Sequence, residues 1–209
     1  MGAPAMITGP ELATMPLSPP RKARLAVLTG AIRAGKTTAA LRIVELARQR
    51  GYLCGGFLSP DRLGPDGRKL GIDVVSLADG ERRPLALLGE DLAGPRVGAY
   101  SFDQASLDWA IDAFRRAAAR GHDLLAVDEL GPLEFERGEG FAPLLPDLAS
   151  GEYRRALAVV RLDFRHRLAV SSDRVQLRVF QLAPIPEERV LVPTQVFHWL
   201  CQDQSEGGV

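Results

Sequence analysis

The chain has 209 residues, a length that favours one domain and is sufficient to bury an apolar core without metal or disulfide cross-links. Charged residues make up 25% and hydrophobic residues 46%, and 26 basic side chains balance 26 acidic ones. The resulting neutrality argues against broad electrostatic binding of nucleic acid, which requires a basic surface. No apolar run in the sequence approaches the length needed to cross a bilayer, so we expect no membrane insertion.

The N-terminal residues and the two cysteines indicate the domain boundaries and the compartment. Residues 1–21 are rich in proline and have no basic residue before Arg21, which predicts a disordered leader rather than a signal peptide. Residues 22–209 are interpreted as one domain. Cys54 and Cys201 are far apart in sequence and form no disulfide framework, which is typical of a reducing compartment. We therefore expect a cytoplasmic protein.

The first predicted elements are a strand, a glycine loop and a helix. Residues 24–29 form a short apolar run that ends at the loop, as a buried parallel strand does. A helical pattern then extends from Lys36 to Arg50, and Gly51 follows as a C-terminal stop signal.

The next segment has the pattern of an antiparallel meander. Strands are predicted at residues 52–58, 68–77 and 84–88, with one further short strand at 97–101. Turn sequences at 65–67 and 78–80 join the first three. Because short turns connect antiparallel strands, this region interrupts an otherwise alternating strand–helix pattern.

The remainder returns to alternating strands and helices. Ser101 or Asp103 is predicted to cap a helix that ends at Arg120. A short helix at most is expected within 140–149, and Pro193 is predicted to open a C-terminal helix. Strands are predicted at 123–127, 155–160 and 177–182. The alternation predicts an α/β fold with a mainly parallel sheet, helices on both faces and an added antiparallel hairpin region.

A phosphate-binding motif occupies the glycine loop. Residues 30–37 fit the pattern G-x-x-x-x-G-K-[ST] between an apolar strand and a helix. The glycines let backbone N–H groups surround an anion, and the helix N-terminus adds partial positive charge there. Lys36 would reach the β- and γ-phosphates, Thr37 would ligate Mg²⁺ and Thr38 would contact the α-phosphate. The candidate nucleotide-binding residues are Gly30, Ala31, Ile32, Arg33, Ala34, Gly35, Lys36, Thr37 and Thr38.

The acids and the arginine that such a loop requires follow two other predicted strands. Asp128 and Glu129 come directly after the strand at 123–127, where Asp128 would hold Mg²⁺ opposite Thr37 and Glu129 would polarise the attacking water. Arg161 follows the strand at 155–160 and should emerge at the same carboxyl edge of the sheet. Its charge would stabilise the γ-phosphate oxygens during attack. Weaker candidates for this role are Arg137, Arg165 and Arg167.

Further segments extend the pattern beyond the phosphate loop. They are Gly55-Gly56-Phe57, Gly71-Ile72-Asp73-Val74-Val75, Gly80-Glu81-Arg82, Val97-Gly98-Ala99-Tyr100 and Val127-Asp128-Glu129-Leu130-Gly131-Pro132-Leu133-Glu134. These segments resemble the G-G-F-x-[ST] strand, the G-F-D-[IV]-V hairpin region, the V-G-x-Y segment and the D-E-[IL]-G-x-[ML]-E stretch of one family. That family is the small P-loop nucleoside-triphosphatases of thermophilic bacteria and archaea, whose human member is the cancer-related nucleoside triphosphatase.

The resemblance covers residues 24 to about 160 and implies a RecA-like domain with an added hairpin. It implies Mg²⁺-dependent hydrolysis of nucleoside triphosphates to diphosphate and phosphate, with loose base selectivity and slow turnover. Carried over by position, Gly35, Lys36 and Thr37 bind phosphate and Mg²⁺, Asp128 supports Mg²⁺ and Glu129 activates water. Glu134 matches a family acid to which the resemblance gives no role, and Ala31-Ile32 stands where relatives often have glycine or proline. The role of Arg161 rests on its position alone.

Two alternatives use the same loop. A small-molecule kinase would need an acceptor pocket and an arginine-rich lid, which residues 161–167 could supply. A nucleotide-dependent switch would act on a protein client and use hydrolysis as a timer. The substrate in every case is a nucleoside triphosphate such as ATP or GTP.

Overall fold

The structure is a computed structural model that describes residues 22–183 and 185–202. The predicted leader, residues 1–21, lies outside the described residues, as do residues 184 and 203–209 of the predicted domain. The strands are β1 Ala23–Gly30, β2 Cys54–Leu58, β3 Asp61–Leu63, β4 Lys69–Ser76, β5 Arg82–Leu88, β6 Ala93–Val97, β7 Tyr100–Asp103, β8 Leu124–Leu130, β9 Arg155–Arg161 and β10 Val175–Leu182. The α-helices are α1 Lys36–Gln49, α2 Gln104–Ala119, α3 Leu144–Ser150 and α4 Pro186–Cys201.

One half of the sheet is parallel. Within the described ranges the strands form a ten-stranded sheet in the order β10-β1-β9-β8-β2-β4-β5-β7-β6, with β3 paired to β4. The five strands from β10 to β2 pair in parallel. Their carboxyl ends therefore meet at one edge, where open parallel sheets bind ligands. In this order β9 lies between β1, which leads into the phosphate loop, and β8, which carries the acids.

The other half of the sheet is an antiparallel wing, formed by β3 to β7. It joins the parallel half where β4 pairs antiparallel with β2. Buried Asp73 on β4 ties the wing together, since its carboxylate pairs with Arg62 on β3 at 2.8 Å and with Arg82 on β5 at 3.4 Å. The wing is the added hairpin region that the turn sequences predicted.

Helices cover both faces of the sheet because the central strands are apolar on both sides. Leu25 and Val27 of β1 pack in one core cluster with residues of α2 and α3, while Ala26 and Leu28 pack in a second cluster with α1 and α4. Alternate residues of a strand point to opposite faces, so a continuous apolar run fits a strand covered twice. The predicted α/β fold class is confirmed.

Three predicted boundaries were wrong. The single strand at 97–101 is two strands, β6 and β7, which pair as a hairpin around residues 98–99. The strand predicted to stop at 127 continues to Leu130, so both acids belong to β8. The last helix begins at Pro186, and Pro193 lies inside it. Both prolines suit the first helical turn, but burial of Val192, Val196 and Leu200 maintains the helix through the second one.

Other boundaries agree with the sequence pattern. Asp103 caps α2, accepting a hydrogen bond from the Ser106 N–H at 2.8 Å. A short π-helix, Leu133–Arg137, and a 3-10 turn, Leu162–Phe164, follow β8 and β9. No helix in the described part of the chain is long and apolar enough to cross a bilayer.

Candidate active site

The phosphate loop connects β1 to α1 and is shaped by its second glycine. Gly35 has φ of 92°, a left-handed conformation that glycine adopts without steric cost, and it caps the N-terminus of α1. Lys36 is therefore the first helical residue. Its Nζ donates to the carbonyl oxygens of Gly30 at 3.3 Å and Ala31 at 3.1 Å, so the lysine spans the loop that it follows.

The same ammonium group links the loop to the acids on β8. Lys36 Nζ lies 3.3 Å from Glu129 Oε2, and the lysine side chain is 6% exposed against 33% for the glutamate. A pair so placed holds the carboxylate beside the position where the loop would bind phosphate.

Asp128 is fully buried next to Glu129. Its Oδ2 accepts a hydrogen bond from the Ser59 N–H at 3.0 Å, and the Ser59 hydroxyl donates to the Asp128 carbonyl oxygen. Burial raises the pKa of Asp128 to about 7, with the Ser59 hydrogen bond opposing this and the Glu129 charge reinforcing it. Oδ1 of Asp128 is buried and accepts no hydrogen bond from the residues described.

A bulge in β8 directs Glu129 into the cleft. Asp128 pairs with Val159 and Leu130 pairs with Val160, so Glu129 is an extra residue in the ladder. Bulges of this kind redirect a side chain and are frequent beside active sites. The same carboxylate approaches the next strand, because Glu129 Oε1 lies 4.0 Å from Arg161 Nε.

Arg161 ends β9 and pairs in register with Gly30, the first residue of the phosphate loop. The guanidinium thus lies at the carboxyl edge, as the sequence predicted from the strand position. The weaker arginine candidates bond elsewhere: Arg137 to the Arg96 carbonyl, Arg165 to the Leu162 carbonyl and Arg167 to the Phe135 carbonyl.

These side chains line one cleft of about 670 Å³, within the usual range for a small-molecule site. The predicted residues that line it are Ile32, Arg33, Gly35, Lys36, Thr37, Thr38, Asp128, Glu129 and Arg161. The remaining predicted residues do not line the cleft but support the loop that does. Gly30 and Ala31 supply carbonyl oxygens to Lys36, and Ala34 is buried in the core.

The oxygen atoms of Asp128 and Thr37 in this cleft suit a hard divalent cation. Asp128 Oδ1 is an unpartnered buried acceptor, and the Thr37 hydroxyl is near enough to lower the pKa of that carboxyl. No group of three His, Cys, Asp or Glu side chains with metal-binding geometry occurs among the described residues. One carboxylate and one hydroxyl, from Asp128 and Thr37, are donors that suit Mg²⁺ when phosphates and water complete its coordination shell.

Sequence reasoning missed the contribution of Ser59. It follows β2 and holds Asp128 through both its backbone N–H and its hydroxyl. A signal was present, because Ser59 occupies the [ST] position of the G-G-F-x-[ST] segment.

Glu134, whose role the sequence left open, is a buried clamp. Its two carboxylate oxygens accept hydrogen bonds from the Gly131 N–H at 2.7 Å and the Phe141 N–H at 3.0 Å. It thereby fixes the loop that leaves β8 just after Glu129.

A phosphate loop on β1, an acid pair on β8 and one strand between them define the class of this protein as a RecA-like P-loop nucleoside-triphosphatase fold. The sequence matches the family described as NTPase over residues 25–196. The chain belongs to this family of nucleoside-triphosphatases.

Curated relatives support this assignment. The nucleoside-triphosphatase THEP1 of Methanopyrus kandleri is 35% identical over 144 residues, which cover 69% of this chain and 77% of that relative. The THEP1 protein of Pyrococcus abyssi is 37% identical over 152 residues, covering 72% and 78%. The one from Methanothermobacter thermautotrophicus is 32% identical over 168 residues, covering 78% and 90%.

Two solved structures share the fold. The crystal structure of THEP1 from Aquifex aeolicus superposes with a TM-score of 0.64 at 16% identity, covering 85% of this chain and 99% of that chain. The solution structure of a human cancer-related nucleoside triphosphatase gives a TM-score of 0.60 at 25% identity, covering 83% and 96%. The predicted family is confirmed.

Proposed function

We propose that this chain hydrolyses nucleoside triphosphates to diphosphate and phosphate in a Mg²⁺-dependent reaction at the cleft. The observation that carries the proposal is the convergence of Lys36 and Arg161 on Glu129 from two other segments of the chain. Lys36 Nζ lies 3.3 Å from one carboxylate oxygen of Glu129, and Arg161 Nε lies 4.0 Å from the other. Membership of a nucleoside-triphosphatase family supports the reaction class.

Residues 30–38 bind the phosphates in this proposal. The loop between β1 and α1 directs backbone N–H groups and the N-terminal dipole of α1 at the anion. In this proposal Lys36 would bind the β- and γ-phosphates, and Thr38 would contact the α-phosphate.

Thr37 and Asp128 would hold the metal. When bound there, Mg²⁺ would supply positive charge that stabilises the negative charge of the triphosphate during attack. The buried, unpartnered Oδ1 of Asp128 supports this assignment. Ser59 keeps the carboxylate oriented by binding Oδ2 at 3.0 Å.

Glu129 and Arg161 act on the attack itself. Glu129 accepts the proton of the attacking water, since its partly exposed carboxylate is at the cleft beside Lys36. Arg161 places positive charge at the γ-phosphate, where negative charge is redistributed in the transition state. Triphosphate binding gives Lys36 a second anionic partner, which loosens its hold on Glu129.

Several finer properties belong to the proposal. Loose base selectivity and slow turnover are supported by the family resemblance, and a cytoplasmic location by the two free cysteines, Cys54 and Cys201. A protein client that uses the hydrolysis as a timer is compatible with slow turnover. The proposal includes no nucleic-acid partner, because the neutral charge of the chain argues against broad electrostatic binding of nucleic acid.

The test is phosphate release from ATP, GTP, CTP and UTP, with and without Mg²⁺. We expect release from all four, with loss of activity in EDTA and in Lys36→Ala. Glu129→Gln should bind nucleotide and lose turnover by about 100-fold or more, as removal of a general base does. Normal turnover in Glu129→Gln would remove that residue from the base role, and release that is indifferent to EDTA would remove the metal.

A further inference from the structure

The cleft has two chemically different ends. The polar end contains Lys36, Thr37, Asp128 and Glu129, to which the proposed function assigns the triphosphate. The other end is lined by apolar side chains from the wing and from the loop after β8. They are Ile72, Leu85, Val97, Tyr100, Phe102 and Phe141. The phosphate chemistry makes no use of this apolar end.

The sheet order places the apolar end beyond Glu129 as seen from the phosphate loop. The loop follows β1, Glu129 is on β8, and Ile72, Leu85 and Phe102 are on β4, β5 and β7. In the order β1-β9-β8-β2-β4-β5-β7 the acid strand lies between the two. A ligand in the apolar end therefore meets Glu129 before it meets the phosphate loop.

This arrangement separates the apolar end from the nucleoside. A triphosphate held by the loop directs its γ-phosphate at the acids on β8, and its α-phosphate lies at Thr38. The nucleoside extends from the α-phosphate, away from Glu129. The apolar end thus adjoins the γ-phosphate, on the side from which a nucleophile approaches.

The rim of the apolar end is already electrostatically satisfied. Lys69 Nζ lies 2.5 Å from Asp61 Oδ1 and stands over the Tyr100 ring at 5.4 Å from its centroid. Deeper in, Leu85 and Phe141 are almost fully buried, and Phe141 packs on Phe57 with ring centroids 4.4 Å apart. Beyond this ion pair the lining side chains named above are mainly apolar, which favours a ligand with an apolar body.

We propose that the apolar end is an acceptor subsite for a small alcohol with an aromatic or branched apolar body, to which the protein transfers the γ-phosphoryl group. The inference rests on the proposed function of the polar end. It gives the chain a transferase activity beside hydrolysis, because the alcohol takes the place of the attacking water.

The transfer is balanced. The hydroxyl oxygen of the alcohol forms a bond to the γ-phosphorus, and the bond from the γ-phosphorus to the β–γ bridging oxygen breaks. The diphosphate leaves with that electron pair, and Glu129 accepts the hydroxyl proton and returns it to solvent. The products are a phosphate monoester and a nucleoside diphosphate, and no oxidant or further reactant is needed.

The experiment incubates the full chain with Mg²⁺ and ATP labelled at the γ-phosphate, and it follows where the label goes. The probes are benzyl alcohol, 2-phenylethanol and cyclohexylmethanol, with glycerol at equal concentration as an alcohol without an apolar body. We expect a labelled phosphate ester from the apolar probes at a yield at least about tenfold above that from glycerol, the usual scale of apolar pocket selectivity. Label found only in free phosphate with every apolar probe would overturn the inference and leave the hydrolase intact. If no label leaves ATP even without alcohol, the proposed function fails and this inference fails with it.

Variants locate the subsite. Ile72→Trp fills the apolar end and should lower the ratio of ester to free phosphate at least about tenfold. Leu53→Trp also introduces a tryptophan, but at a 62% exposed position before β2, at the edge of the sheet opposite the cleft. It should leave this ratio unchanged. Ile72→Ala enlarges the end and should shift the preference toward the bulkier alcohols. A ratio that is the same in wild type, Ile72→Trp and Ile72→Ala would show that transfer occurs elsewhere.

Discussion

Arg161 lies across Gly131, so a side chain at residue 131 would have to displace the arginine. A Cβ placed on Gly131 would lie 2.8 Å from Arg161 Cδ and 3.3 Å from its Cγ. Glu134 also holds this glycine in place by accepting its N–H at 2.7 Å. The loop after β8 thus serves as the surface on which the proposed transition-state arginine rests.

Gly131→Ala should therefore impair the reaction through Arg161. We expect kcat to fall about tenfold while nucleotide affinity changes little, because the proposed role of the displaced guanidinium is to stabilise charge during attack. Arg161→Ala alone should lower kcat about 100-fold. In that background Gly131→Ala should lower kcat hardly any further. Steady-state kinetics of the four proteins complete the cycle, and additive losses would refute the contact as the cause.

The buried clamp at Glu134 predicts a stability difference between two substitutions. Glu134→Ala leaves the N–H groups of Gly131 and Phe141 buried without acceptors, which costs about 2–4 kcal/mol of unfolding free energy. Glu134→Gln retains one carbonyl acceptor and should lose less. Urea unfolding of both variants measures this, and equal losses would contradict a role for the hydrogen bonds.

The clamp also predicts a pH dependence. Burial raises the pKa of Glu134 above 4.5, while its backbone hydrogen bonds oppose the shift. Above pH 4.5 and up to the raised value, the folded chain binds more protons than the unfolded chain, so stability falls as the pH rises. The unfolding free energy of wild type relative to Glu134→Gln should therefore decline as the pH rises from 4.5 through the raised pKa of Glu134. A difference that is constant with pH would contradict the prediction.

The sequence predicted which side chains meet at the polar end of the cleft, because local spacing determines their positions. Lys36 and Thr37 follow the loop glycine directly, and parallel strands bring Asp128 and Arg161 to one edge. Contacts between distant segments were not accessible in the same way. The bulge at Glu129 depends on β9, and the role of Glu134 depends on Phe141 folding back over it.

The missed boundaries have a similar cause. Pro186 and Pro193 carry the same local signal for a helix start, and only the packing of α4 on α1 decides between them. The apolar end of the cleft was also beyond prediction. It is assembled from β4, β5 and β7 and from the loop at Phe141, whose residues are far apart along the chain.

The ion pair between Lys36 and Glu129 predicts a change in nucleotide affinity. Glu129→Gln removes a negative charge 3.3 Å from Lys36 Nζ and frees the ammonium for the triphosphate. We expect binding of a non-hydrolysable triphosphate to tighten about threefold to fivefold, the effect of one partly exposed charge. Glu136→Gln makes the same charge change at an exposed position of the π-helix and should not alter affinity. Weaker binding in Glu129→Gln would contradict the competition between acid and phosphate for Lys36.

The close approach of β2 to β8 predicts a steep cost at Gly56. Its φ is +81°, and a Cβ there would lie 2.0 Å from the Ala126 carbonyl oxygen in the neighbouring strand. Gly67 in the β3–β4 turn has a similar φ of +77°, but a Cβ would meet nothing within 4 Å. Gly67→Ala should therefore lower the unfolding free energy only by the cost of the left-handed backbone conformation, about 1 kcal/mol. Gly56→Ala should lower it by at least about 3 kcal/mol. Chemical unfolding of the two variants separates backbone strain from strand contact, since equal losses would mean that conformation alone determines the glycine at residue 56.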